Sequence, residues 1–501
     1  MSDLKKKTVS GFAYKFAERV GAQGINFVIQ LLLARILMPH DYGLIALLSV
    51  VIAILDVFVT YGFGNALVAN KKSDHIDFST CFYFGLSIAA VLYVLLFFCA
   101  PLISDFYGKN GDYDKELLTQ VLRVMGLRMP LAAINTVQHA YVRKNMWFKK
   151  FFYATLIGTV TSGIIAVIMA YAGFGAWALV EQYLGNVLMD TVCLWIFVGW
   201  RPTKEFSFER LKAIYSYGWK ILVVGLIDTV YGRLRNLIIG KKYSSEDLAY
   251  YDRGYRFPSF GMRLIEPTVN TVLFPALSQC QDDKAQMREI TRKVILASTF
   301  IISPIMVGLA VVAEPLVLVL LTEKWLPCVE FIQIGCAANL FRCNQFINSC
   351  VILASGDSAL LLKLDILKKG IGLGILLLSI PFGVRGIAIS LIAVYFLSMV
   401  INISPNRKIL DYGYLAQFKD TGKNILLALV MGACVYPISF LHMPAVVLLI
   451  MQVLVGIVVY GGLSFLMKSE SLFLAIDLVQ SFLKGGKKTN SDRKKEQEEQ
   501  K

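Results

Sequence analysis

The chain has 501 residues, of which 56% are hydrophobic and only 17% charged, with a mean hydropathy of +0.61. Soluble globular proteins carry about a quarter charged residues, so this composition excludes an ordinary soluble protein and points to one that lives in a bilayer. Fifty Lys and Arg stand against 35 Asp and Glu, and because the basic residues fall mainly between apolar segments they suit anionic headgroups and topology control rather than nucleic acid.

A bilayer core takes about 20 mainly apolar residues per helix, and reading for such segments gives about fourteen. Their spans are 9–37, 43–67, 78–104, 117–140, 151–171, 176–199, 213–239, 258–279, 294–320, 328–354, 360–380, 386–404, 423–441 and 445–467. The expected fold is therefore an all-α integral membrane protein. Met1 to Lys7 is basic, but Lys15, Glu18 and Arg19 interrupt any early apolar core, so the first helix is expected to stay rather than be cleaved. The seventh and eighth spans carry charges. The ninth holds Pro304 and Pro315, which predicts a kink or an interfacial turn.

Loop charge sets the topology. With a cytoplasmic N-terminus, the loops after even helices face inward and carry Lys71 and Lys72, then Arg143, Lys144, Lys149 and Lys150, then Arg201, Lys204, Arg210 and Lys212. Near the end come Arg407, Lys408, Lys419 and Lys423. Outward loops are poorer in Lys and Arg: 171–175 and 441–444 have neither. This pattern obeys the positive-inside rule, with loop 240–257 as the exception. An even helix count also places the C-terminus in the cytoplasm, where the charged tail from about Lys484 reads as disordered. Cys336, Cys343 and Cys350 would share a helix face, where small packing residues are the simplest reading. The four histidines lie far apart, so neither a metal nor another cofactor is expected.

The most informative pattern is an internal duplication. Residues 31–45, LLLARILMPHDYGLI, and residues 237–251, LIIGKKYSSEDLAYY, both end an apolar helix, pass a basic residue (Arg35, Lys241) and reach an aspartate (Asp41, Asp247) suited to cap the next helix. Ala100-Pro101-Leu102 is echoed by Glu314-Pro315-Leu316, and Gly173-Phe174-Gly175-Ala176 by Pro381-Phe382-Gly383-Val384. The offsets drift only from 206 to 214. Matches in one order at nearly one spacing imply two homologous six-helix lobes, with boundaries at 1–204 and 205–411. Two additional helices follow at 412–468, and a charged cytoplasmic tail at 469–501. Twin bundles that rock against each other make a transporter; a scaffold or receptor has no need of the duplication.

The stretch from Lys5-Lys6-Lys7-Thr8-Val9-Ser10-Gly11 through Ala34-Arg35-Ile36-Leu37-Met38-Pro39-His40-Asp41-Tyr42-Gly43 resembles the polysaccharide transporter family. So do Tyr61-Gly62-Phe63-Gly64-Asn65-Ala66-Leu67 and Gly173-Phe174-Gly175-Ala176-Trp177-Ala178-Leu179. These are the Wzx-type flippases of the multidrug/oligosaccharidyl-lipid/polysaccharide exporter superfamily. The resemblance implies two six-helix lobes in a V shape around a central cavity, in the bacterial cytoplasmic membrane. It implies a substrate of undecaprenyl-pyrophosphate carrying a short oligosaccharide of O-antigen, capsule or exopolysaccharide. Membrane lipids are implied partners, and polysaccharide polymerase and chain-length machinery are candidate ones. No enzymatic chemistry is needed, so no catalytic residue is expected.

A pyrophosphate needs a cationic, polar path. Charges inside spans cost roughly 2.5–3.5 kcal/mol each on insertion scales, so those present should line a cavity or sit at an interface. The candidates for binding the pyrophosphate are Arg19, Arg128, Arg235, Arg263 and Arg342, since the planar guanidinium fork donates two parallel hydrogen bonds. Each has a structural alternative. Glu18 could neutralise Arg19; Arg263 and Glu266 are three apart, a ready intrahelical pair; Arg233 and Arg235 point to nearly opposite sides, so at most one faces a cavity centre. Asp56, Asp228 and Glu266, with Asp190 late in the sixth span, are candidates for coupling to H+ or Na+. Salt bridges between helices are the alternative. Asn339, Asn344, Gln345 and Asn348 could meet sugar hydroxyls or act as interhelical glue. The rival functions are a drug or metabolite exporter of the same superfamily, which would favour acidic over basic cavity residues, and a membrane-embedded glycan polymerase or acyltransferase, which would show catalytic residues or a large outward loop.

Overall fold

The computed structural model describes residues 21–61, 63–69, 73–108 and 113–474, and these are almost wholly helical, with no strand among them. Eight stretches among the described residues are long and apolar enough to cross a bilayer: Pro39–Thr60, His75–Gly108, Lys115–Lys144, Phe148–Tyr171, Lys284–Val311, Ser358–Ile409, Tyr414–Phe440 and Ala445–Leu466. Ser358–Ile409 holds two long helices, and Gly21–Ile36 is apolar but shorter. Ala176–Phe197, Phe208–Lys242, Ser245–Gln279 and Cys328–Ala354 are long helices as well, but polar residues keep them below that apolar threshold. The all-α membrane fold is thus as expected, while hydropathy alone does not establish fourteen spans.

The chain divides into two compact units within one long helix, the first reaching Asp252 and the second starting at Arg253. The first unit holds α1 (Gly21–Ile36), α2 (Pro39–Thr60), α3 (Phe63–Ala69), α4 (His75–Gly108), α5 (Lys115–Met125), α6 (Arg128–Lys144), α7 (Phe148–Tyr171), α8 (Ala176–Phe197) and α9 (Phe208–Lys242). Its α7 and α8 pack closely, as do α4 with α6 and α2 with α9. The buried positions of α7 are Ala154, Gly158, Thr159, Ser162, Gly163, Ala166 and Ala170. Small residues let backbones approach where lipid tails leave no hydrophobic drive between helices. Ile29 and Leu33 of α1 complete this packing with Ala166 and Ala170.

The second unit takes most of α10 (Ser245–Gln279), then α11 (Lys284–Val311), α12 (Ala313–Leu320), α13 (Cys328–Ala354), α14 (Ser358–Ser379), α15 (Gly383–Ile409), α16 (Tyr414–Val435) and α17 (Ala445–Leu466). Here α13 packs on α15, and α11 on α13 and α16. The expected interruption of the ninth span is present: α11 carries Pro304 and ends at Val311, and α12 starts anew two residues before Pro315. Cys336, Cys343 and Cys350 are all buried packing residues of α13.

The sequence echoes have local structural counterparts. Asp41 does not occupy the cap position; Pro39 opens α2, so Asp41 lies in its first turn and accepts from the Met38 backbone N–H at 3.2 Å. Asp247 does the same for the Ser244 N–H at 3.3 Å, while Ser244 Oγ accepts from the Asp247 N–H. Gly175, at the start of α8, has φ +53, and Gly383, at the start of α15, has φ +77. Both take a backbone conformation that L side chains rarely adopt.

Candidate functional site

In the first unit, Asp56 on α2 and Arg128 on α6 form an ion pair, Arg128 Nε donating to Asp56 Oδ2 at 2.6 Å. Tyr183 on α8 lies under the guanidinium, whose carbon is 4.5 Å from the ring centroid. Arg233 on α9 is within electrostatic reach of Tyr183. The second carboxylate oxygen, Asp56 Oδ1, is buried and accepts no hydrogen bond among the described residues. An unsatisfied buried acceptor costs about 1–3 kcal/mol. The pair therefore neutralises two charges carried on apolar stretches of chain, but does so imperfectly.

In the second unit, Glu266 on α10 and Arg342 on α13 make a fork-to-fork pair. Arg342 Nε donates to Oε1 at 2.7 Å and Nη2 to Oε2 at 3.0 Å. Tyr395 on α15 lies 5.8 Å from the guanidinium carbon, and its hydroxyl meets that of Tyr255 at 2.7 Å. Bidentate pairing satisfies both oxygens and fixes the plane of the guanidinium.

These two clusters occupy equivalent places in the sequence. Asp56 and Glu266 are 210 residues apart, Arg128 and Arg342 214, and Tyr183 and Tyr395 212. Those offsets fall within the 206 to 214 of the internal echoes. A carboxylate, an arginine and a tyrosine on three successive even-numbered spans thus recur in each half. Residues expected to serve separately, the acids for ion coupling and the arginines for substrate, prove to be partners. For Asp56 and Glu266 the geometry is that of the salt bridge between helices. Glu266 pairs across to α13 and not merely along its own helix.

The other predicted residues are dispersed. Arg19 lies outside the described residues. Arg235 is 7% exposed, and its Nε and Nη2 make no hydrogen bond among the described residues. Arg263 and Asp228 are exposed on α10 and α9. Asp190 is bound by His139 at 3.0 Å and by Asn135 Nδ2 at 3.3 Å, tying α8 to α6. Asn344 and Asn348 act as glue: Asn348 exchanges hydrogen bonds with Gln417 on α16 at 2.9 Å, accepts from Asn406 on α15 at 2.6 Å and donates to Asn344 at 2.7 Å.

Some functional candidates have no forerunner in the sequence reading. Nothing local distinguishes Tyr183 and Tyr395 among the 23 tyrosines of the chain. Arg292 on α11 pairs with Asp420 on α16 at 3.0 Å and with Glu470 beyond α17 at 2.6 Å, gathering three segments at one end of the second unit. Arg292 donates a hydrogen bond to the Glu470 carboxylate and holds it below the usual carboxylate range.

Bundled helices, eight stretches of them long and apolar enough to cross a bilayer among the described residues, define a multi-pass α-helical membrane protein. A family model described as polysaccharide biosynthesis protein matches residues 32–330, more than half of the chain. The chain belongs to that family, and the resemblance seen in its sequence holds. A succinoglycan biosynthesis transport protein, ExoT, of Rhizobium meliloti is 26% identical over 324 residues, covering 64% of each protein. The match thus spans a little under two thirds of that relative. A lipopolysaccharide biosynthesis protein, WzxC, of Escherichia coli is 25% identical over 347 residues, 68% of each. Among solved structures, a lipid II flippase, MurJ, in an inward closed conformation superposes with a TM-score of 0.74 over 92% of this chain and 98% of its own, at 15% identity. That likeness establishes a shared fold.

Proposed function

We propose that this protein carries a polyprenyl-pyrophosphate-linked oligosaccharide across the bacterial cytoplasmic membrane by alternating exposure of its binding site, with both termini in the cytoplasm. The observation that carries the reading is the joining of family and charge. A chain of a polysaccharide-biosynthesis family keeps arginines within membrane-spanning helices, where an anionic headgroup would otherwise meet only hydrocarbon. Relatives named for succinoglycan transport and lipopolysaccharide biosynthesis support the same substrate class.

The cargo has three parts with different needs. The pyrophosphate requires guanidinium donors, for which Arg19, Arg128, Arg235, Arg263 and Arg342 are the candidates. The sugars require polar side chains, and the polyprenyl tail can remain in lipid. No bond is made or broken. Asp56, Asp228 and Glu266 are the candidates for coupling to H+ or Na+, Asp56 through release of its arginine partner. The polymerase and chain-length machinery that consume such a cargo are the natural neighbours.

Deleting the gene tests the reading. The expected result is loss of one surface polysaccharide with accumulation of its lipid-linked repeat unit on the cytoplasmic leaflet. Normal surface polysaccharides together with drug hypersensitivity would instead favour an exporter of small molecules.

A further inference from the structure

We propose that Asp56 is a displaceable counter-ion that occupies Arg128 in the resting protein and yields it to a phosphate oxygen of a pyrophosphate-bearing ligand, whereas Glu266 is a fixed partner of Arg342. The inference rests on the reading of the protein as a carrier of pyrophosphate-linked glycans, and it says how access to one of the arginines is controlled.

The contrast between equivalent positions carries it. Glu266 uses both oxygens on Arg342. Asp56 uses one on Arg128, and its other oxygen is buried without a donor among the described residues. A carboxylate left half-satisfied in a low-dielectric setting is the weaker competitor for a guanidinium. The arginine is also incompletely used. Arg128 engages Asp56 through Nε, and its Nη groups make no hydrogen bond among the described residues. About a quarter of its side chain, 26%, remains accessible, against 14% for Asp56. The free Nη edge can receive a second anion before the first departs. The Tyr183 ring beneath the guanidinium supports its plane independently of the carboxylate, so Arg128 stays placed when Asp56 lets go. Arg233 near the same tyrosine adds positive charge that favours a multivalent anion over a single carboxylate.

Binding of inorganic pyrophosphate to the purified full-length protein, followed by calorimetry, tests this. A site blocked nine-tenths of the time by its own counter-ion binds about tenfold more weakly than an open one. Asp56→Asn should therefore tighten binding by about that factor. Glu266→Gln should change it by less than about twofold, and Arg128→Gln should weaken it by about tenfold or more. Equal affinity in wild type and Asp56→Asn, or an equal gain from Glu266→Gln, overturns the proposal. Should Asp56→Asn fail to give monodisperse protein, phenylglyoxal labelling of the wild type decides. Arg128 should react faster than Arg342 and be protected by pyrophosphate; the reverse order, or no protection, overturns it. These readouts concern the anion alone, so a null result leaves glycolipid translocation, measured separately in vesicles, standing as a reading in its own right.

Discussion

Arg342 reaches Glu266 with two nitrogens, at 2.7 and 3.0 Å, and so locks α13 to α10 through a planar, two-bond contact between residues 76 positions apart in the chain. The equivalent contact of the first unit, between Arg128 and Asp56, is a single bond of 2.6 Å. The difference in bond count has measurable consequences.

Double-mutant cycles should separate the two pairs. Breaking an ion pair removed from water leaves an uncompensated charge, at about 3–5 kcal/mol when burial is complete. Both arginines keep a quarter or so of their side chains accessible, 26% and 28%, which lowers that figure. For Glu266 and Arg342, substituted by Ala singly and together, the coupling energy should be about 1–3 kcal/mol in detergent unfolding. The Asp56–Arg128 coupling should be smaller. Equal couplings would mean that the orphaned oxygen of Asp56 has no energetic weight.

The positive-φ glycines supply a second expectation. Gly175→Ala and Gly383→Ala should each destabilise by about 1–2 kcal/mol, because an L side chain is strained at φ +53 and +77. Gly374 lies inside α14 with nothing within 4 Å of an added Cβ. Gly374→Ala should be neutral or stabilise by about 0.4–1 kcal/mol. The midpoints of thermal unfolding for the three variants check the contrast, and a uniform response would contradict it.

Much of this was legible in the sequence, for identifiable reasons. A charge within an apolar run is conspicuous, so Asp56, Arg128, Glu266 and Arg342 stood out individually. Their pairing did not, because the partners are 72 and 76 residues apart on different helices and no local periodicity links them. The duplication offset held the missing information: applied to the charged residues and not only to turns, it places Asp56 on Glu266 and Arg128 on Arg342. Tyr183 and Tyr395 carry no charge to mark them, and nothing local sets them apart among the 23 tyrosines of the chain. Asp41 suits a cap by residue type and position, and its side chain does bond back to the Met38 N–H, but Pro39 fixes the helix start two residues earlier.

Acid should loosen the end of the second unit. Glu470 is held below the usual carboxylate range by its hydrogen bond from Arg292. A carboxylate whose folded pKa is depressed contributes stability that is present above its unfolded value, about 4.3, and is lost as pH falls through the folded one. The unfolding temperature of the wild type should therefore fall more between about pH 6 and pH 3.5 than that of Glu470→Gln. Parallel pH profiles would show that this contact adds nothing in solution.

The buried amide network is testable at one position. Asn348 bonds to Asn344, Asn406 and Gln417. Asn348→Ala strands three buried partners and should cost about 1–3 kcal/mol, without altering pyrophosphate affinity. A change in affinity at unaltered stability would move this network from packing to binding.

The most direct measurement of the central claim is transbilayer movement of a lipid-linked oligosaccharide in vesicles containing the purified protein. Lipid placed on one leaflet should reach the other at a rate that rises with protein content. The rate should fall by about tenfold or more in Arg128→Gln, equivalent to a barrier raised by roughly 1.4 kcal/mol or more. Leaflet exchange no faster than in protein-free vesicles, under gradients of H+ or Na+ as well as without them, would contradict it.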